Sequence, residues 1–600
     1  MLYILLDRPR KDEENDIDNF LQLPTFFRTD LSPWENMALI STTSLVVLIV
    51  GWLWLQPWAS AQLCYNQSTA INGTPFPPLI EATTEDLAKG LEAGLFTSVD
   101  LVTTEAYIQR IMEVNTTLHM VTQLNPDALA IAAQLDEQRA QSNVLGPLHG
   151  IPILIKNNIA TADNMDNTAG SYALAGAKVP RDSTMAAKLR QAGAVILGKT
   201  NLSQWANYRS FNTSNGWSAI GGQTQGAYYP GQDPSGSSSG SGVSSSLGLA
   251  LAALGTETDG SILSPSDVNN LVGIKPTVGL TSRDLVIPIS EHQDTVGPMA
   301  RTVKDAAYLL AAIAGKSPHD NYTDAIPFDT IPDYVAACNF SALKGKRIGV
   351  PRNLIDLTAD PPAPPIVPVF NAALEILRKA GAIIVDNTNF TGYEALNEGN
   401  YSNIVLEADF ISDLPKEYLS QLSYNPNKVY SVTDVRNFTH AFPLEDWPER
   451  DTLVWDSALA LGFNNTSPEF WSNYTMNTYL AGPLGVTGAL KNYSLDALVL
   501  PTEFSPNFPA LIGSPVITVP LGSFPPDTEV LVNGFGNLNA TAPNIPFGIS
   551  FMGPHFSEEL LIGLAYAFEQ RTLVRNTITP YIQPVTELVD VVNKKAGIAG

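Results

Sequence analysis

Two separated stretches of this chain carry residues that could do chemistry together. The first, Gly231–Arg283, reads GQDPSGSSSGSGVSSSLGLALAALGTETDGSILSPSDVNNLVGIKPTVGLTSR. It opens as a Gly/Ser-rich loop holding Ser237, Ser239 and Ser241. A largely apolar segment, Val243 to Leu254, follows, then a second turn, Thr258-Asp259-Gly260-Ser261, and the run Gly273-Ile-Lys275-Pro-Thr277. The second stretch lies upstream, where Gly150-Ile-Pro-Ile-Leu-Ile-Lys156 puts a lysine at the end of an apolar run. Glycines let backbone N–H groups approach a ligand and serines add hydroxyls. A flexible linker would not lead into a packed apolar segment and a second ordered turn. A phosphate loop of the Gly-x-x-x-x-Gly-Lys-Ser/Thr kind needs a lysine that this loop lacks. A nucleophile elbow needs Gly-x-Ser-x-Gly between strand and helix. Gly240-Ser241-Gly242 is too short for it, and the serine run matches any such pattern loosely.

With these residues in view, the chain resembles the amidase signature family, in particular secreted fungal and plant-type amidases related to the amidase-type subunit of glutamyl-tRNA amidotransferases. Gly236-Ser237-Ser238 corresponds to the family's Gly-Gly-Ser-Ser-Gly-Gly-like loop and Gly260-Ser261-Ile262 to its Gly-Gly-Ser-Ile turn. Gly273-Ile-Lys275-Pro-Thr277 corresponds to its Gly-x-Lys-Pro-Thr run, and the order and spacing agree over about residues 81–586. The resemblance implies Ser261 as nucleophile, Ser237 as bridging serine and Lys156 as base. It implies an oxyanion site made by the backbone N–H groups of Thr258, Asp259, Gly260 and Ser261, and a cis peptide bond before the bridging serine. It also implies one large α/β domain with a mixed central β-sheet flanked by α-helices on both faces, and no cofactor. The chain departs from the common pattern at Glu257 (an Asp in the family), Asp259 (a Gly), Leu263 (an Arg) and Ser239 (a Gly). Backbone donors survive a change of side chain, so the departures bear on substrate charge preference.

The implied chemistry is amide hydrolysis, which needs a nucleophile, a base that later returns the proton to the leaving amine, and donors for the oxyanion. Serine and lysine can supply the first two without histidine. A free lysine, with a pKa of about 10.4, is protonated at neutral pH. Burial of Lys156 at the end of the Ile151–Ile155 strand favours the neutral amine.

Six hundred residues, 16% charged and 44% hydrophobic, describe a globular chain with a large core. The net charge of −25, with no Lys/Arg-rich run, argues against nucleic acid as a partner. The two cysteines, Cys64 and Cys338, and six histidines fall in no metal-ligand spacing, so no metal is expected. The expected partner is a small-molecule amide; a homodimer is left open.

Along the chain, Thr84 reads as an N-cap with a stop at Gly94. Ser98 starts a helix whose apolar face is Leu101, Ala106, Ile108, Ile111 and Met112, and Asn125-Pro-Asp127 opens another to about Arg139. Ile151–Ile155 and Ala194–Leu197 read as strands buried on both faces, with a helix from Ser183 between them. Thr302 caps a helix to Ala314, residues 316–345 read as loop, and Arg347 resumes a strand. Asp496–Thr502, Pro515–Pro520 and Pro546–Gly553 are the closing strands, before a helix over Glu558–Gln570. Residues 390–480, rich in aromatics, fit either a substrate-cavity wall or a surface insertion.

The segment Met37–Ala61 carries no charge, has an apolar heart at Leu45–Leu55 and ends in Ala59-Ser-Ala61. It is expected to be a signal peptide, with residues 1–36 a non-native extension of the gene model. The alternative is a single-pass anchor with residues 1–36 cytoplasmic, and a membrane is a partner only if the 38–58 segment is retained. The expected mature domain is 62–600. Fifteen of 42 asparagines open Asn-x-Ser/Thr sequons, which points to a secreted glycoprotein. Cys64 and Cys338 could pair in that compartment. The function expected is a secreted amidase acting through an acyl-enzyme. The alternatives are an amidotransferase subunit of a tRNA-dependent complex and a non-catalytic binding protein on the same fold. The intact serines and lysine argue against the last.

Overall fold

The computed structural model describes residues 76–103, 106–355 and 366–595. The 37–61 segment, Cys64, Asn66 and Asn72 lie outside them. Eleven strands form one sheet: β1 Val121–Leu124, β2 Pro152–Lys156, β3 Val195–Thr200, β4 Ala252–Glu257, β5 Val272–Lys275, β6 Thr295–Ala300, β7 Arg347–Val350, β8 Ile383–Asp386, β9 Ala497–Pro501, β10 Val516–Ser523 and β11 Pro546–Met552. Their spatial order is β1-β3-β2-β4-β6-β5-β10-β11-β9-β7-β8. β3, β2 and β4 run parallel, as do β9, β7 and β8; the other neighbours are antiparallel. The expected mixed sheet flanked by helices is therefore present. β2, β3, β4, β9 and β11 are buried over their whole lengths, the environment that favours continuous apolar runs over alternation.

Parallel pairing of β2 with β4, Ile153 opposite Ala252 and Ile155 opposite Leu254, brings the C-terminal ends of both strands to one edge of the sheet. Lys156 sits at one end and Thr256 and Glu257 at the other. This is where open α/β sheets gather their chemistry.

The Gly/Ser stretch is only partly a loop. Ser239–Ser246 is an α-helix with all eight residues buried. Its small side chains are a packing requirement, since a Cβ on Gly240 would stand 2.3 Å from the Met120 carbonyl oxygen and 2.6 Å from both N and O of Asn201. Two of its serine hydroxyls bond to backbone carbonyls inside this tight space: Ser241 Oγ donates to Leu254 O at 3.0 Å and Ser244 Oγ to Gly240 O at 2.6 Å.

Other sequence expectations shift in detail. Thr83 rather than Thr84 is the cap, in a reciprocal capping box with Asp86. The helix from Ser98 stops at Val102 and a second runs from Tyr107 to Leu118; Met112 is exposed, on the opposite face from the core. The Thr302 cap holds, with its helix over Val303–Ile313.

Residues 390–480 form helices, among them Tyr401–Asp413, Val432–Ala441, Leu453–Ala460 and Pro468–Ala481. They are more than a surface insertion. Phe410, Leu414, Val435 and Trp455 share an apolar cluster with Trp205 and Leu285, Trp205 meeting Trp455 edge-on at 5.7 Å. Glu445 is fully buried, accepting hydrogen bonds from Ser171 Oγ at 2.7 Å and Gln204 Nε2 at 2.8 Å and pairing with Arg209 at 3.3 Å.

Candidate active site

Lys156 closes β2 with its side chain fully buried, and its amine nitrogen meets four oxygens. Nζ lies 2.7 Å from Ser237 Oγ, 2.9 Å from Ser238 Oγ, 2.9 Å from Thr256 Oγ1 and 3.1 Å from Thr256 O. Among the described residues no carboxylate pairs with it directly. Burial therefore pulls its pKa down to about 7, against the opposing pull of Asp294 and then Glu257. Neutral amine is thus available at ordinary pH.

Ser237 is fixed through its backbone. Its peptide bond with Gly236 is cis, as the resemblance implies, and its carbonyl accepts the Ser203 N–H at 3.1 Å. A Cβ at residue 236 would fall 2.4 Å from Ser203 Oγ, so any larger residue there would have to displace that hydroxyl. Ser238 ties this loop to the other serine motif, its N–H donating to Ser261 O at 3.2 Å. Lys156, Ser237 and the Thr258–Ser261 turn therefore form one cluster. Of Lys156, Ser237 and Ser261, only Ser261 keeps any exposure, 8%.

The turn from Thr258 to Ser261 is clamped at both ends. Gly260 has φ +84°, a conformation that suits glycine. Beyond the turn, Glu257 reaches around it, and its Oε2 accepts the N–H groups of Ile262 at 2.7 Å and Leu263 at 2.9 Å. The longer Glu thus serves here as a cap on the Leu263–Val268 helix. Before the turn, Thr258 Oγ1 donates to Asp294 Oδ1 at 2.5 Å. Asp259 is half-buried and accepts Asn507 Nδ2 at 2.9 Å, and Leu263, where the family has an arginine, is buried.

Sequence reasoning missed Ser238, Thr256, Asn158 and Asp294 as members of this cluster. Asn158 Nδ2 donates to Thr256 Oγ1 at 3.0 Å, so it orients a hydroxyl that touches the lysine. Ser238 was hidden by its serine neighbours, and the other three lie in runs with no signature of their own. The other signature lysine serves packing: Lys275 is buried, donates to Ser514 O at 2.7 Å and so joins β5 to the segment before β10. Lys199 likewise holds Asn167 Oδ1 at 2.8 Å and Ile159 O at 2.5 Å.

Comparison with known proteins bears on the family and the fold. The amidase family model matches residues 102–562. A candidate amidase of Arthroderma benhamiae is 55% identical over 85% of this chain and 89% of its own length, and one from Arabidopsis thaliana is 38% identical over 82% and 91%. Among solved structures, native peptide amidase from Stenotrophomonas maltophilia superposes with a TM-score of 0.73 at 38% identity, over 85% of this chain and all of that one. A peptide amidase bound to the competitive inhibitor chymostatin gives 0.74 at 39%, over 82% and 98%. The chain therefore belongs to the amidase signature family and is an amide-hydrolysing enzyme.

Proposed function

We propose that this enzyme cleaves carboxylic amides through an acyl-enzyme on Ser261, with Ser237 as relay and Lys156 as base. The observation that carries the reading is the buried Lys156–Ser237 pair at 2.7 Å, with an amine whose pKa lies near neutrality. Hydrogen-bond accounting gives it direction. Ser238 Oγ donates to Thr256 O at 3.1 Å, so Ser238 Oγ is free to accept from Lys156. Thr256 offers two further acceptors, its carbonyl and its hydroxyl oxygen. A neutral amine has two N–H bonds and one lone pair. Both N–H bonds are taken by Ser238 and Thr256, which leaves the lone pair facing the Ser237 hydroxyl.

In the first half-reaction Ser261 Oγ bonds to the substrate carbonyl carbon as its proton passes through Ser237 to Lys156. The oxyanion is met by backbone N–H groups of Thr258, Asp259, Gly260 and Ser261. The C–N bond breaks as the lysine ammonium returns the proton, through Ser237, to the leaving nitrogen. Water then repeats the sequence on the ester and frees the acid.

Peptide amides are the first substrates to try, because peptide amidases are among the similar solved structures. We also propose that the enzyme works in the secretory pathway or outside the cell, with its mature N-terminus at Gln62. In support, eight of the thirteen sequons within the described residues have an exposed asparagine: Asn212, Asn321, Asn339, Asn389, Asn400, Asn437, Asn464 and Asn492. Peptide mass spectrometry of the protein from its host tests the N-terminus, and peptides from residues 1–36 in a membrane fraction would count against it. The catalytic reading is tested with a fluorophosphonate probe. Wild type should be labelled on Ser261, Ser261→Ala should not, and Lys156→Ala should react orders of magnitude more slowly; a labelled Ser261→Ala protein overturns the assignment.

A further inference from the structure

Behind the Thr258–Ser261 turn stands a polar layer that the proton relay does not use. Asp294 lies just before β6 and is buried. One of its oxygens accepts the Thr258 hydroxyl at 2.5 Å; the other accepts the N–H groups of Ile289 at 2.7 Å and Ser290 at 3.1 Å. The adjacent Gln293 donates to Thr258 O at 3.3 Å. Thr258 is thus held by side chain and by carbonyl from one loop, residues 289–294.

That loop is braced from its other side by the helical region that sequence reasoning left unassigned. Ser290 Oγ donates to Asp409 Oδ2 at 2.5 Å and the Glu291 N–H to Asp413 Oδ2 at 2.7 Å. The His292 ring lies 2.9 Å from Asp409, and Asn465 Nδ2 reaches Asp409 and Asp413 at 3.1 Å each. Phe470 and Tyr474 pack on the His292 ring at 5.2 Å and 4.6 Å between centroids.

We infer that Asp294 is a positioning residue for the reaction: by gripping the Thr258 hydroxyl it aims the backbone N–H groups of the 258–261 turn, with the 289–294 loop as a strut between that turn and the Tyr401–Asp413 helix. The inference rests on the reading of Ser261 as nucleophile. A turn containing a glycine at φ +84° has conformational freedom; Glu257 restrains it from Gly260 onward, and Asp294 holds it at Thr258. Oxyanion donors act only when aimed to within a fraction of an ångström, and a misplacement of about 1 Å costs on the order of 100-fold in rate. Donors left present but misaimed should therefore lower reactivity by roughly 10- to 100-fold.

Asp294 has a second, electrostatic consequence. The charged groups facing Lys156 are Asp294 and Glu257, and both favour its ammonium form; Arg283 is the cation facing Asp294. Removing the Asp294 charge should move the acid limb of the reaction to lower pH, whereas removing the Thr258 hydroxyl should leave that limb in place.

The test is the pH dependence of the second-order rate of fluorophosphonate labelling, on the full chain, for wild type, Thr258→Val, Thr258→Ser, Asp294→Asn and Ser261→Ala. Thr258→Val should label roughly 10- to 100-fold more slowly with an unmoved acid limb, and Thr258→Ser should recover most of the rate. Asp294→Asn should be slow with its limb shifted down. Labelling of Thr258→Val at the wild-type rate, or Thr258→Ser as slow as Thr258→Val, overturns the inference. The Thr258 pair decides even if Asp294→Asn does not fold. Labelling of Ser261→Ala would instead sink the underlying nucleophile assignment. An inert Ser261→Ala beside a fully reactive Thr258→Val would sink this inference alone.

Discussion

Replacing Lys156 by methionine removes a buried amine while keeping most of its volume, and the structure gives both the size and the pH dependence of the result. Burial lowers the lysine pKa from 10.5 to about 7. At 1.36 kcal/mol per unit, the folded state carries a cost of roughly 5 kcal/mol wherever Lys156 is charged in both folded and unfolded chains, that is, below about pH 7. Between about pH 7 and 10.5 the unfolded chain holds a proton that the folded chain lacks. Wild-type stability from this group therefore rises with pH across that window, by about 1.4 kcal/mol per unit, and the cost is gone above it. The methionine variant has no such slope. It does leave the buried Ser237 hydroxyl without the lysine nitrogen it faces, a penalty of about 1–3 kcal/mol that is independent of pH, while Ser238 Oγ and the Thr256 oxygens keep their contacts with each other and with Asn158. Lys156→Met should thus be more stable than wild type by about 2–4 kcal/mol at neutral pH, and less stable by about 1–3 kcal/mol near pH 10.5, where the lysine cost has vanished. Urea unfolding of both proteins across the window reads the difference. Lys199 and Lys275, with pKa values lowered to about 7 and 8, titrate in both proteins and cancel from it. A stability difference that stays constant from about pH 7 to 10 would refute the neutrality of Lys156 in the fold. Such a result would remove the base from the relay as well.

The remaining predictions are narrower. Amide hydrolysis by the wild type should rise with pH along an acid limb centred near the Lys156 value of about 7, falling about tenfold per unit below it; a rate independent of pH between about 5 and 8 would contradict a lysine base. Gly240→Ala should destabilise the fold by at least about 1–3 kcal/mol in urea unfolding, because the added methyl meets the backbone of Met120 and Asn201 and neither can yield easily. Glycopeptide mapping should find glycans among the eight exposed sequon asparagines and none on Asn201 or Asn465. Asn201 Nδ2 already donates to Gly222 O at 3.1 Å and Thr224 Oγ1 at 3.0 Å, and Asn465 Nδ2 is held in the Asp409–Asp413 cluster. A glycan recovered on either residue in folded protein would contradict the packing described.

The sheet was legible wherever a strand is buried on both faces, because nothing but an apolar run is stable there. Ile151–Ile155, Ala194–Leu197, Asp496–Thr502 and Pro546–Gly553 all mark real strands to within a few residues. The Thr302 cap was legible, its hydroxyl and the Asp305 carboxylate sitting three residues apart, whereas at the first helix the equivalent pair Thr83 and Asp86 was passed over for the adjacent Thr84. The Ser239–Ser246 helix was not. Periodicity reports a contrast between a wet face and a dry one, and a helix buried all round has no such contrast. Its glycines and serines answer to close contact with backbone on every side, so it read as loop. Met112 failed for the reverse reason, since one apolar residue on a wet face does not disturb a helix.

The site divides along a similar line. Ser237, Ser261 and Lys156 could be picked out because three motifs stood in a known order, and one register of β2 against β4 then suffices to bring the lysine to the serines. Residues that act on those three from a distance carry no motif. Asp294 meets Thr258 from 36 positions away, and Asp409 holds the 289–294 loop from 119 positions away. Such contacts depend on how the Tyr401–Asp413 helix lies on the loop, which no local pattern encodes. The Glu257 departure shows how the two levels interact. In sequence it stood as one of four departures from the family pattern, read as bearing on substrate charge preference. In the fold its extra methylene lets one carboxylate oxygen reach two successive backbone N–H groups beyond Ser261, so the far end of the turn is fixed by the same residue that ends β4. With Asp294 at the near end, the turn is held by two carboxylates that also face Lys156. The groups that set its geometry are therefore also the groups that oppose burial in setting the charge on Lys156, and a substitution at either carboxylate should change rate and pH dependence together.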